Sequence, residues 1–164
     1  MIPFPNFSPE IISFSIGGVE LSLRWYAVSY ILGFVFATFL MKTLIKRKHL
    51  WRFTTPPMDK NQIESLITYL IIGVILGGRL GYVFFYNFEY YLNNPADMLR
   101  IWEGGMSFHG GLIGVILSAI LFYKFHGIPL ASGSDLIAFA TPPGIFFGRI
   151  ANFINGELWG RPTT

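Results

Sequence analysis

The apolar residues of this 164-residue chain fall into long runs that are separated by short polar segments. A helix needs roughly 20 apolar residues to cross a hydrocarbon core of about 30 Å. Four runs approach that length: residues 25 to about 44, about 65–88, about 107–123, and a run that begins near 136 and continues past 149. The pattern predicts an all-α, polytopic integral membrane helix bundle of about four transmembrane helices, forming a single transmembrane domain over residues 1–164.

Two segments depart from this simple pattern. Residues 11–19 are too few to cross a bilayer and follow three prolines, so we predict that this N-terminal segment lies in the membrane interface. In the fourth run, Pro142, Pro143 and Gly144 are expected to kink or restart the helix. Asp135 precedes the apolar run and is expected to cap its start.

The composition favours a membrane protein over the other classes. The chain is 52% hydrophobic and 13% charged, with a formal net charge of +3. Its basic residues lie beside apolar runs and form no stripe with aromatic partners, so we predict no nucleic-acid partner. The chain has no cysteine, and its three scattered histidines show no metal-ligand spacing. We therefore predict neither a metal nor another cofactor.

The charged residues of the loops predict the orientation, because Lys and Arg accumulate on the cytoplasmic side. The first loop is rich in basic residues, whereas residues 87–106 contain Arg100 against three acidic residues. The N-terminus and the second loop are therefore expected outside. The basic residues of the first loop are Lys42, Lys46, Arg47, Lys48, Arg52 and Lys60.

With this orientation, the polar residues of the spans all fall toward the outer leaflet. Such groups are expensive in lipid, so their convergence predicts one outward-facing polar site. An arginine fork matches phosphate oxygens, an asparagine can bond hydroxyls, and a histidine can accept a proton, so a phospholipid headgroup is the expected ligand. The residues are Tyr26, Arg79, Tyr82, His109, Arg149, Asn152, Asn155 and Glu157.

Each candidate also has a structural interpretation that the sequence leaves open. Arg79 could snorkel or pair with a carboxylate such as Glu103, and Tyr26 could be an aromatic-belt anchor. His109 could be an interfacial histidine, although the glycines that flank it would let a substrate come close to the backbone and so favour a functional role. The i, i+3 pair of Arg149 and Asn152 could belong to an internal hydrogen-bond network.

Glycines in the second and third runs follow the small-xxx-small pattern that lets membrane helices approach closely. We interpret them as helix-packing residues. They are Gly73, Gly77, Gly81, Gly110 and Gly114.

Two motifs resemble a known family. Residues 102–114 read W-E-G-G-M-S-F-H-G-G-L-I-G, and residues 148–163 read G-R-I-A-N-F-I-N-G-E-L-W-G-R-P-T. Both closely resemble bacterial prolipoprotein diacylglyceryl transferases, as do L-R-W-Y around Tyr26 and G-G-R-L-G-Y-V around Arg79. The resemblance covers essentially the whole chain.

The resemblance implies a transferase of the bacterial inner membrane. It would move the diacylglyceryl group of phosphatidylglycerol to the lipobox cysteine thiol in the signal peptide of a prolipoprotein, the first step of lipoprotein maturation. By motif match, His109 and Tyr26 are implied as catalytic residues. The implied substrate-binding residues are Arg149, Asn152, Glu157, Gly160 and, on depth and motif, Arg79.

Family members continue beyond the G-R-P-T motif, with further transmembrane helices and another essential arginine. We therefore expect this chain to be a fragment or a truncated product. That expectation leaves an alternative function open, which is a non-catalytic phospholipid-binding membrane protein. A transporter is disfavoured, because the inner halves of the spans offer no polar path.

Overall fold

The computed structural model describes residues 7–16, 19–51 and 54–157. The fold divides into two compact units. One contains the described parts of residues 1–43 and 136–164, and the other contains residues 44–135. The prediction of a single transmembrane domain stays a prediction.

The first unit opens with an antiparallel hairpin of β1 (Glu10–Ile16) and β2 (Val19–Arg24), in which Ser13 pairs with Ser22. Strand β2 leads directly into helix α1 (Trp25–Leu44). The Trp25 indole N–H donates to the carbonyl oxygen of Ser8 at 3.1 Å, and its main-chain N–H donates to Pro9 at 3.3 Å. These bonds fix the start of α1 against the hairpin. The hairpin departs from the structure expected of this segment, for which no strands are predicted, and its interfacial location stays a prediction.

The last helix, α5 (Leu130–Ile154), is longer and more regular than the sequence predicted. It runs through Pro142 and Pro143 as one continuous helix, so the expected restart is wrong, while a kink at this position stays a prediction. Each proline removes one main-chain donor, but that loss does not by itself end a membrane helix. Because α5 begins at Leu130, Asp135 lies inside the helix and does not cap it.

Helices α1 and α5 contact each other in the first unit. Phe36 and Phe147 face each other with ring centroids 5.2 Å apart. About one turn earlier in each helix, a Cβ atom on Gly33 would lie 3.1 Å from the Cα of Gly144. The start of α1 meets the end of α5 where Asn152 Nδ2 donates to the Tyr26 hydroxyl.

The second unit is built on helices α2 (Lys60–Tyr86) and α4 (Phe108–His126), which pack antiparallel. A Cβ atom on Gly77 would lie 2.8 Å from the Cα of Gly114, and one on Gly81 would lie 2.7 Å from the Cα of Gly110. Such short separations leave no room for a side chain at these positions. The predicted role of these glycines in helix packing is therefore confirmed. The connection between the helices contains α3 (Phe88–Asn93) and two short 3-10 turns, Pro95–Leu99 and Ile101–Glu103.

The four predicted spans are confirmed as four helices, α1, α2, α4 and α5, that are long and apolar enough to cross a membrane. Helix α2 begins earlier than the apolar run because Asp59 caps it. The Asp59 carboxylate accepts from the main-chain N–H of Gln62, and the Gln62 side chain accepts from the N–H of Asp59. The described residues form an all-α membrane bundle with one small hairpin.

Candidate active site

Polar side chains from α1 and from the end of α5 form a connected cluster in the first unit. The Tyr26 hydroxyl donates to Glu157 Oε2 at 2.5 Å and accepts from Asn152 Nδ2. Asn152 Nδ2 also donates to Glu157 Oε2 at 3.3 Å. Arg149 Nη1 donates to Asn152 Oδ1 at 3.2 Å. We call these four residues, Tyr26, Arg149, Asn152 and Glu157, the tyrosine cluster.

The termination of α5 explains why Glu157 reaches this cluster. Gly156 has a φ of +66°, the left-handed conformation that glycine adopts without strain. The main-chain N–H of Glu157 donates to the carbonyl oxygen of Asn152 at 2.8 Å, and that of Gly156 donates to Phe153 at 3.1 Å. These two bonds define a Schellman motif. The motif folds the chain back so that the Glu157 carboxylate lies against the Asn152 side chain.

The Asn152 carboxamide holds the cluster in one orientation. Its NH2 group donates to Tyr26 and Glu157, while its oxygen accepts from Arg149. Exchanging its oxygen and nitrogen would place like groups against each other, so the surrounding groups select one orientation. The carboxamide therefore lies between the Arg149 cation and the Glu157 anion and is hydrogen-bonded to both.

Arg149 is exposed, as is Glu157, whereas Tyr26 and Asn152 are half-buried. Arg149 lies one helical turn before Asn152, on the same face of α5. Within the described ranges, its one hydrogen-bond partner is Asn152, which engages Nη1. The other guanidinium donors are therefore available for an anion, and the planar fork of arginine matches phosphate oxygens.

Asn155, which belongs to the outward-facing polar set predicted from the sequence, adds a further acceptor near the tyrosine cluster. Its Oδ1 is buried, and no donor among the described residues reaches it. A buried acceptor without a partner is costly, and such atoms are rare.

The other two predicted residues lie in the second unit. His109 is exposed near the start of α4, and its imidazole contacts the Phe108 ring with centroids 5.6 Å apart. Arg79 is 6% exposed, and its guanidinium donates to four main-chain carbonyl oxygens. Its predicted role in substrate binding stays a prediction.

The structure thus brings together four of the seven predicted site residues in the tyrosine cluster and places two, Arg79 and His109, in the other unit. Gly160 lies outside the described residues. No group of three or more metal-ligating side chains occurs in the described ranges.

Comparison with known proteins identifies relatives over almost the whole chain. The family model described as "Prolipoprotein diacylglyceryl transferase" matches residues 11–164. A protein from Roseobacter denitrificans named phosphatidylglycerol--prolipoprotein diacylglyceryl transferase is 55% identical over 162 residues, covering 99% of this chain and 55% of the relative.

Proteins of the same name from other bacteria give similar results. One from Cereibacter sphaeroides is 53% identical over 163 residues, covering 99% of this chain and 80% of the relative. One from Rhizobium leguminosarum bv. trifolii is 46% identical, covering 99% of this chain and 56% of the relative. The chain spans about half the length of the first of these curated relatives.

Proposed function

The chain belongs to the prolipoprotein diacylglyceryl transferase family, and from this premise we propose that it transfers the diacylglyceryl group of phosphatidylglycerol to the lipobox cysteine thiol of a prolipoprotein. The observation that supports this most directly is the tyrosine cluster, which presents an exposed guanidinium beside a fixed carboxamide and carboxylate. Such an arrangement suits a ligand that carries both a phosphate and hydroxyl groups. The headgroup of phosphatidylglycerol carries both.

We assign the binding roles by chemistry. Arg149 binds the phosphate through the donors that Asn152 does not engage, Asn152 holds the arginine in place, and Glu157 accepts from a headgroup hydroxyl. The orphan Oδ1 of Asn155 is a further acceptor for a headgroup hydroxyl. Gly160 completes the headgroup site by motif match.

The reaction forms one bond and breaks another at a glycerol carbon. His109 accepts the proton of the cysteine thiol, and the thiolate attacks the carbon that bears the phosphate ester. A C–S bond forms as the C–O bond breaks, and glycerol phosphate leaves with the bonding electrons. Negative charge then grows on the phosphate oxygens, where Arg149 stabilises the transition state more than the ground state.

Tyr26 has a distinct role in this scheme. Its hydroxyl bonds both Asn152 and Glu157, so it holds the binding surface while the charge on the phosphate changes. A group already oriented before the reaction costs no reorganisation during it.

We place the protein in the bacterial inner membrane with its N-terminus outside and the polar site toward the outer leaflet. The basic residues of the first loop support this orientation. A secreted prolipoprotein presents its cysteine at the same face.

The test uses membranes that contain this chain, from cells depleted of their own transferase. They are incubated with phosphatidylglycerol and a lipobox peptide, and the thioether product is measured by mass. A peptide with serine in place of the cysteine is the control for thiol chemistry. Product formation supports the proposal, whereas binding of phosphatidylglycerol without product would support the phospholipid-binding alternative.

Arg149→Lys is the variant that tests the phosphate role. Lysine keeps the charge but lacks the fork, so we expect turnover to fall by about tenfold, which corresponds to about 1.4 kcal/mol. Arg24→Lys is the matched control, because Arg24 makes an exposed ion pair with Glu10 at 3.4 Å. Wild-type turnover in Arg149→Lys would exclude the role of the fork.

A further inference from the structure

Arg79 is a buried cation whose described hydrogen bonds all go to the main chain. Its Nε donates to Met98 at 2.9 Å, and Nη2 donates to Asp97 at 2.6 Å. Nη1 donates to Gly104 at 2.6 Å and to Gly105 at 3.2 Å. Four of the five guanidinium donors are therefore used by carbonyl oxygens of one connecting segment, residues 97–105. We call this arrangement the arginine clamp.

Aromatic rings enclose the clamp on one side. The guanidinium carbon of Arg79 lies 5.3 Å from the ring centroid of Tyr91, a cation–π arrangement, and Tyr91 is buried. Tyr82 packs edge-on against Tyr91 with centroids 6.5 Å apart. The carbonyl dipoles and the ring together stabilise the charge. A lysine could not make the same hydrogen bonds to all four carbonyl oxygens, because its donors all lie on a single nitrogen.

The clamped segment ends at the start of the helix that carries His109. Ser107 follows Gly105 by two residues, and its main-chain N–H donates to the carbonyl oxygen of Gly78 at 2.9 Å. The Ser107 hydroxyl accepts from the N–H of Gly110 at 3.1 Å and so caps α4. Two neighbouring residues of α2, Gly78 and Arg79, therefore hold the chain immediately before His109.

The geometry points to Arg79 as a positioning residue for His109, acting through the clamped segment and the Ser107 cap rather than through contact with the lipid. Burial and the four carbonyl bonds support this role over direct headgroup binding, because a phosphate would have to displace main-chain acceptors that are already in place. The role in the reaction rests on the proposed function; the effect of the clamp on His109 does not.

The first experiment compares Arg79→Met with Arg100→Met in lipid nanodiscs. Both variants remove one positive charge, and Arg100 lies in the same segment, where its half-exposed side chain makes an ion pair with Asp97 at 3.2 Å. Hydrogen exchange of residues 97–108 is measured by mass spectrometry. The rate of acylation of His109 by diethyl pyrocarbonate is measured in parallel, with His49 as the internal reference.

We expect Arg79→Met to raise amide exchange in residues 97–108 by about tenfold or more and to change the acylation rate of His109 relative to His49. Arg100→Met should change neither, and Arg79→Lys should not restore the wild-type values. Unchanged exchange in Arg79→Met would overturn the clamp. Raised exchange with an unchanged His109 rate would overturn the positioning of His109.

A second pair of variants covers the case in which Arg79→Met fails to fold. Gly104 and Gly105 have φ values of +89° and +78°, so alanine strains the main chain at both. A Cβ atom on Gly105 would lie 2.9 Å from Arg79 Nη1 and 2.6 Å from the Tyr82 ring, whereas one on Gly104 meets nothing within 4 Å. Gly105→Ala should therefore perturb His109 more than Gly104→Ala does. Equal effects would contradict the clamp.

Steady-state kinetics then separate positioning from binding. For Arg79→Met we expect kcat to fall by about 10- to 100-fold while KM for phosphatidylglycerol changes little, because a displaced base slows the chemical step. A raised KM with unchanged exchange would assign Arg79 to the headgroup instead. If the wild-type chain transfers no lipid, the exchange and acylation measurements still decide whether the clamp exists.

Discussion

Asn152 and Glu157 are joined twice, once through the main chain and once through their side chains. The N–H of Glu157 donates to the carbonyl oxygen of Asn152 at 2.8 Å, and Asn152 Nδ2 donates to Glu157 Oε2 at 3.3 Å. The first bond belongs to the Schellman termination of α5, and the second belongs to the tyrosine cluster. The end of the helix and the geometry of the cluster are therefore set by the same turn.

The first prediction concerns Gly156, which makes this turn possible. Gly156→Ala forces a residue with a Cβ atom to adopt a φ of +66°, which costs about 1 kcal/mol or more. We expect a lower free energy of unfolding in mixed micelles and weaker binding of phosphatidylglycerol, because Glu157 moves away from Asn152.

Gly148→Ala is the control for this variant. Gly148 lies inside α5, which Gly156 terminates, and a Cβ atom there would meet nothing within 4 Å. Since glycine in a helix interior is less favourable than alanine by roughly 0.5–1 kcal/mol, this variant should be neutral or slightly more stable. Equal losses in the two variants would show that the left-handed turn is unimportant.

The second prediction concerns the Tyr26 hydroxyl. Tyr26→Phe deprives the Glu157 carboxylate of a donor and the Asn152 amide of an acceptor. Hydrogen bonds to charged groups contribute about 1.5–3 kcal/mol. We therefore expect kcat/KM for diacylglyceryl transfer to fall about 10- to 100-fold, with little change in the helical circular dichroism.

Tyr30→Phe provides the comparison, because Tyr30 lies one turn further along α1 and is 62% exposed. Its hydroxyl takes no part in the tyrosine cluster, so activity should match that of the wild type. Full activity in Tyr26→Phe would mean that the cluster is a structural network only, which is the alternative that the sequence left open.

The sequence was sufficient to predict the four helices, because their apolar runs approach the membrane thickness. It also predicted the contacts of Gly77 and Gly114, since the spacing of small residues carries that information directly. The hairpin was missed although E-I-I-S-F-S-I and V-E-L-S-L-R both alternate and flank Gly17-Gly18. The apolar residues of these segments predict an interfacial location when only their number is considered. Their alternation with polar residues is the pattern that indicates strands.

The residues of the site could be predicted from the sequence better than their hydrogen-bond partners, and the reason is physical. Arg149, Asn152 and Tyr26 are recognisable because polar side chains are conspicuous in an apolar background. The partners of Arg79 are main-chain carbonyl oxygens, which every residue possesses, so no sequence pattern can indicate them. Their positions depend on how residues 97–105 fold over α2.

The third prediction tests the glycine contact between α2 and α4. Gly114→Ala would place a Cβ atom 2.9 Å from the carbonyl carbon of Gly73 and 3.0 Å from the Cα of Gly77. Main-chain atoms cannot move aside as a side chain can, so we expect a loss of about 1–3 kcal/mol in the free energy of unfolding. Gly111→Ala on the same helix is the control, because its Cβ atom would meet the Val74 side chain at 3.3 Å. Similar stability in both variants would contradict the close contact.

The fourth prediction separates binding from chemistry at His109. Glutamine keeps a donor and an acceptor but cannot take up a proton near neutral pH, so His109→Gln should retain phosphatidylglycerol binding. Its rate of thioether formation should fall by about 100-fold or more, the usual contribution of a positioned base. His49→Gln, at an exposed position in a short turn between α1 and α2, should leave both properties unchanged. Transfer at the wild-type rate in His109→Gln would exclude His109 as the base, whereas joint loss of binding and transfer would assign it to the lipid site.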